Sequence, residues 1–380
     1  VNSQQNSITS QNKVLFFSYW YPNKSNENAA VFIKRHAHSI QSSNTPIVVL
    51  VLSIIHGSSL YKKNTVVFND EEGIETHQIY LESKFYKLFY LLLPLQYIFA
   101  KSHIKKNILP SFKFNIIHSN VLFPCGIVGY WLAKTYNCKH IISEHWSKLD
   151  NFFKVSLWKS YGKKALNNAH AITCVSGILK NTISKYTTNN SIAIIPNVIN
   201  SSQFYFDSSI QKNTVLSLIA VAHWSPPKNP FYFLDALTAL PSQLPKFKMV
   251  LVGNGPQINI IKNKNYPFEI DYKGNLNANE LRTELNKSHL FLHGSDFETF
   301  SVIIAEALMC GLPCIVSPVG IAHEVINDSN GFISNNTVSG WQEKISSAIN
   351  TTYNNELISG QLKNKYDSAT VGKLFTEIYK

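Results

Sequence analysis

Short apolar runs alternate with helix-length segments along nearly the whole chain. Residues 14–18, 46–53, 115–120, 140–145, 171–176 and 193–196 read as strands in the first half. Residues 217–223, 248–253, 269–272, 289–293, 314–317 and 331–334 do so in the second. Most are continuous rather than alternating, the pattern of parallel strands covered on both faces. Between them, 30–41, 126–136, 229–240 and 277–286 have the length of helices. Repeated β–α alternation predicts doubly wound α/β domains, with strands enough for two. The polar, turn-rich stretch 196–202 is the expected boundary. A length of 380 residues also fits two domains, and no internal repeat or long low-complexity linker interrupts the pattern.

The most constrained stretch runs from Phe297 to Pro313. An apolar run ending at His293 leads into Gly294-Ser295-Asp296, and a helix pattern begins near Ser301. Gly311 can take the left-handed cap and Pro313 bars continuation, so a helix is predicted over 302–310. Glu298 then lies in the loop before the helix and Glu306 about a turn inside it. Free N–H groups and the helix dipole at that terminus favour an anion such as a diphosphate. Carboxylates on either side suit a sugar nucleotide, whose hydroxyls want acceptors while its phosphates want donors. The plain alternative is two glutamates on a solvated helix.

Charge is divided unevenly. Residues 1–200 hold 21 Lys and Arg against 8 Asp and Glu, whereas 201–380 hold 14 against 15, giving the net +12. An anionic membrane or a lipid-phosphate acceptor suits the basic half. No nucleic-acid partner is expected, because no zinc-finger or RNA-binding signature accompanies the charge. Residues 88–100 form the one membrane-like segment, too short to span a bilayer, interrupted by Pro94 and bracketed by Lys84, Lys87, Lys101, Lys105 and Lys106. Two readings stay open: a buried helix with solvated ends, or a surface helix in the lipid interface, making 84–106 a peripheral membrane contact. The five cysteines fall at no metal-ligand spacing and read as reduced core thiols of a cytoplasmic protein. The polar start has no signal-peptide core, and the missing initial Met reads as a trimmed or partial N-terminus.

The run Glu298-Thr299-Phe300 … Glu306-Ala307-Leu308-Met309-Cys310-Gly311-Leu312-Pro313 resembles the Glu-x7-Glu element of the family 4, or group 1, retaining glycosyltransferases. The resemblance extends from about Val14 to Tyr379. It implies a GT-B architecture, two doubly wound Rossmann-like α/β domains facing a central cleft. Residues 1–197 would bind the acceptor and 198–365 the nucleotide-sugar donor, with a C-terminal helix in 366–380 packing back on the first domain. By this resemblance Glu298 would hold the donor sugar's hydroxyls and Glu306 the ribose hydroxyls, with Thr299, Phe300, Ser301 and Val302 around the donor.

Lys228 matches the family's diphosphate-gripping lysine, while His223 stands where the family has an arginine and lacks its two-pronged grip. Without the resemblance, Lys228 is a helix-start lysine and His223 a strand-end histidine. Gly253 and Gly255 resemble the family's Gly-x-Gly-Pro turn beside the nucleotide, although a simple strand-to-helix turn explains them equally well. Ala30 replaces a common glycine near the donor phosphate, and Ile321 another. His145 matches a position near the donor sugar and acceptor and joins Glu298 and Lys228 as a catalytic candidate. His118, Glu144 and Trp146 are acceptor-side candidates at strand ends. The implied activity is transfer from a nucleotide-sugar to a cell-envelope glycan or lipid-linked acceptor, with no cofactor and no metal, at the inner face of the cytoplasmic membrane. A sugar-nucleotide epimerase of the same fold, or an inactive sugar-nucleotide-binding protein, uses the same residues.

Overall fold

A computed structural model describes residues 11–23, 29–241, 245–362 and 364–380. The chain forms two compact units. One comprises the chain through Val175, Leu179–Val198 and Ser368–Lys380, and the other Ser176–Ile178 and Ile199–Asp367.

The first unit is built on β1 (Val14–Ser18), β2 (Ile47–His56), β3 (Lys62–Asn69), β4 (Glu75–Ser83), β5 (Ile116–Asn120), β6 (Lys139–Glu144), β7 (Ala171–Cys174) and β8 (Ile192–Ile194). Their order is β3-β4-β2-β1-β5-β6-β7-β8, and every described pair is parallel except the β3–β4 hairpin. The apolar runs of β1 and β5 are buried throughout, because helices cover both faces. The helix Ser368–Tyr379 lies against the helix Val31–Ser42, so closely that a Cβ on Gly372 would overlap the Ser39 carbonyl oxygen. Its Val371, Phe375 and Tyr379 complete the core.

The second unit is a six-stranded parallel sheet of β9 (Leu216–Val221), β10 (Phe247–Val252), β11 (Glu269–Gly274), β12 (Leu290–His293), β13 (Cys314–Val316) and β14 (Gly331–Ile333). Its order is β11-β10-β9-β12-β13-β14. The chain winds one way from β9 to β11 and the other way from β12 to β14, so the strand order reverses beside β9. In open α/β sheets the crevice at the carboxyl ends of such a pair is where ligands bind.

Two elements differ from the sequence reading. The β3–β4 hairpin replaces a stretch with no predicted structure, since β3 is almost wholly exposed and its apolar run is only Val66-Val67-Phe68. Residues 88–100 are not one helix: Tyr86–Leu91 and Leu93–His103 break at Leu92. The first of these helices buries nothing, while the second buries Leu93, Gln96, Ala100 and His103. Among the described residues no helix is long and apolar enough to cross a membrane. None of the five cysteines forms a disulfide, and Cys125, Cys174, Cys310 and Cys314 are buried.

Candidate functional site

The site is assembled by the loops leaving β9, β10 and β12. After β9, Trp224 turns inward and donates from Nε1 to the Val252 carbonyl at 3.0 Å, while its amide donates to Asn254 at 2.8 Å. The β9 and β10 loops therefore cross backbone to backbone. Gly253 (φ +103°) and Gly255 (φ +148°) sit at that crossing, where a Cβ would overlap the carbonyl oxygens of Ala222 and Trp224. Both glycines thus have a structural task, whatever nucleotide approaches them.

The β9 loop is also tied to the loop after β12. Asn229 N–H donates to Gly294 at 3.0 Å and Asp296 N–H to Pro227 at 2.9 Å. Ser295 Oγ lies within hydrogen-bond reach of the carbonyl oxygens of Pro227 (3.2 Å) and Phe297 (3.1 Å). This fastening holds Lys228 against Glu298, and the two form a direct ion pair. Burial lowers the Lys228 ammonium to about 8, while the carboxylate beside it works in the opposite direction. His223, in the same loop, is exposed.

His293, the last residue of β12, was not singled out from the sequence. It is buried, with Nε2 3.0 Å from Ser301 Oγ and 3.4 Å from Glu298 Oε1. Burial, and then the nearby Lys228 charge, hold its pKa well below the ordinary value, so the ring is neutral near pH 7. The signal available in the sequence was its place at the carboxyl end of a strand, directly before the Gly-Ser-Asp turn.

Ser301 caps the helix Val302–Met309 in a left-handed conformation (φ 72°) and makes no side-chain cap. Its hydroxyl is turned to His293 instead. A non-glycine residue held in that region costs on the order of 1 kcal/mol, and here it leaves the first-turn amides uncapped. Glu306 is buried one turn into the helix. Val302 is half-buried on the first turn.

Other candidates fall elsewhere. The Phe300 ring is buried edge-on against Tyr366, and its carbonyl accepts from Ile321 N–H at 2.9 Å. The Thr299 carbonyl accepts from Ser176. Both carbonyls thus tie the loop before the helix Val302–Met309 to neighbouring segments. Ile321 is itself buried, and Gly320 beside it takes the positive φ.

In the first unit, Ala30 precedes the helix Val31–Ser42 at φ 49°, a conformation in which glycine is unstrained. His118 does not reach a strand-end surface: it is buried, with Nδ1 2.6 Å from the Tyr379 hydroxyl and Nε2 2.6 Å from the Ser143 hydroxyl. Both ring nitrogens are spent on core partners, so its acceptor-side assignment is corrected to a structural one. Glu144 is likewise enclosed. Its carboxylate accepts from the amides of Leu122 (2.9 Å), His145 (2.8 Å) and Trp146 (2.7 Å). Burial raises it to about 7 against the pull of those three bonds. That carboxylate shapes the β6 loop rather than meeting a ligand. His145 is buried against Phe32 and His36, and neither ring nitrogen has a hydrogen-bond partner. Trp146 is half-buried and meets Trp20 edge-on.

Two family models match adjoining parts of the chain: Glycosyltransferase Family 4 over residues 65–203 and Glycosyl transferases group 1 over residues 202–366. An uncharacterized glycosyltransferase of Methanocaldococcus jannaschii is 27% identical over 78% of this chain and 85% of its own. Alpha-monoglucosyldiacylglycerol synthase of Streptococcus pneumoniae is 23% identical over 57% of this chain, which spans 55% of that protein. Among solved structures, Anabaena HepE in complex with UDP-glucose superposes with a TM-score of 0.68 at 15% identity, covering 96% of this chain and 98% of that one.

Proposed function

Because this chain belongs to the group 1 glycosyltransferases of the GT-B fold, we propose that it moves a sugar from a nucleoside diphosphate donor to a lipid-linked or envelope glycan acceptor, with retention. The observation carrying this reading is the Lys228–Glu298 pair beside the uncapped N-terminus of Val302–Met309, where the strand order of the second unit reverses. A half-buried lysine and first-turn amides suit a diphosphate. A carboxylate that loses its lysine to that diphosphate is left to accept the sugar's hydroxyls. On this reading the donor replaces Glu298 as the partner of Lys228, and Glu306 takes the ribose. The acceptor class rests on the Streptococcus relative, whose name describes a glucosylated diacylglycerol product.

In the proposed step the acceptor oxygen bonds to the anomeric carbon on the face from which the diphosphate leaves. The bond between that carbon and the phosphate oxygen breaks, its electron pair stays with the diphosphate, and the diphosphate takes the hydroxyl proton. Lys228 and the helix amides stabilise the developing negative charge, so no metal is assigned a part. Calorimetry with UDP, GDP and ADP tests the reading. One should bind, and Lys228→Ala should weaken it by about 100-fold, the scale of one lost charge-assisted contact. Unchanged affinity in the variant would refute the assignment.

A further inference from the structure

The first unit carries a broad apolar face that its own core does not need. Leu88 (55% exposed) and Leu91 (49%) stand on the helix Tyr86–Leu91, and Val155 (71%) and Leu157 (92%) lie where the helix Leu149–Val155 gives way to a turn. These two segments are more than sixty residues apart in sequence yet fixed to each other: Trp158 Nε1 donates to the Leu91 carbonyl at 3.1 Å. Trp158 also meets Trp131 and Tyr161, with ring centroids 6.1 and 5.3 Å apart. A leucine at a turn tip that is nine-tenths exposed gains nothing from water, and several on one rigid frame need a partner.

The charge around the face identifies that partner. Between Ser83 and Phe206 the chain has fifteen lysines against two acidic residues, Glu144 and Asp150. Glu144 is buried, while Lys84, Lys87, Lys101, Lys154 and Lys159 are exposed around the apolar tips. Apolar tips, interfacial tryptophan and tyrosine, and a lysine rim together match an anionic bilayer surface. We propose that Leu88, Leu91, Val155 and Leu157 insert into the interface of an anionic membrane while the surrounding lysines engage lipid headgroups. This docking does not depend on which sugar the protein transfers.

The test uses the full chain and sedimentation with phosphatidylcholine vesicles, with or without phosphatidylglycerol. The wild type should bind only the anionic vesicles and release at high salt. The combined variant Leu88→Ser, Leu91→Ser, Leu157→Ser should bind at least about tenfold more weakly, and each exposed lysine removed should cost about fivefold. These residues are exposed, and an unchanged melting temperature checks that the variant folds. Wild-type protein that ignores anionic vesicles, or a triple variant that binds as well, overturns the proposal. So does a wild-type dimer in sedimentation velocity that the triple variant abolishes, since the face would then join two copies of this chain.

Discussion

Acid should loosen the first unit through its buried histidines. His36 is enclosed against His145 and Phe375, with Nε2 3.0 Å from the Pro196 carbonyl, and burial lowers its pKa from 6.5 to about 4. His118 and His145, packed into the same core, lie well below the ordinary value for the same reason. Each is depressed in the folded state, so its contribution is complete above pH 6.5 and drains away as pH falls toward the folded value. For His36 the shift corresponds to about 3 kcal/mol in full, and roughly 2 kcal/mol is already lost at pH 5. Losses from His118 and His145 come on top. Hydrogen exchange of peptides from Val31–Ser42 and Ser368–Tyr379 should therefore report opening at pH 5, after correction for the intrinsic pH dependence of exchange. His36→Leu should keep its protection between pH 7 and pH 5 better than wild type, by about 2 kcal/mol. Equal loss in wild type and variant would refute the reasoning, since His36 would then carry no differential proton uptake.

Three further outcomes follow from the second unit. Glu298→Ala should abolish sugar transfer, by about 100-fold or more, with circular dichroism unchanged, and EDTA should leave the wild-type rate as it is; an active variant or a chelator-sensitive rate removes the corresponding assignment. Gly255→Ala should destabilise by about 3 kcal/mol because its Cβ meets the Trp224 backbone at φ +148°. For a unit of this size that lowers the melting temperature by roughly 5–10 °C, and a melt within a degree of wild type contradicts it.

The apolar runs of β1, β9 and β12 were legible because a strand covered on both faces is apolar along most of its length. The helix after Glu298 was legible too, from the periodicity that begins near Ser301 and the Gly311 and Pro313 that end it. β3 was not, because an exposed edge strand needs no apolar pattern and takes its order from pairing with β4. Nor was the break at Leu92, which divides an apolar segment into one helix that buries four residues and one that buries none.

Side-chain fates depended on distant neighbours. Local sequence places His118 and His145 at the ends of parallel strands, where ligand contacts are common. Only the fold brings Tyr379 to His118, from 261 residues away, and closes Phe32 and His36 over His145. Conversely, an unremarked strand-end residue, His293, comes to lie between Ser301 and Glu298. The sequence by itself determined the apolar strands such as β1, β9 and β12, the helix after Glu298 and the carboxylate pair, since periodicity and backbone limits act over a few residues. Tertiary structure decided which polar groups keep a partner outside the core, because burial and hydrogen-bond satisfaction are set by segments far apart in the chain.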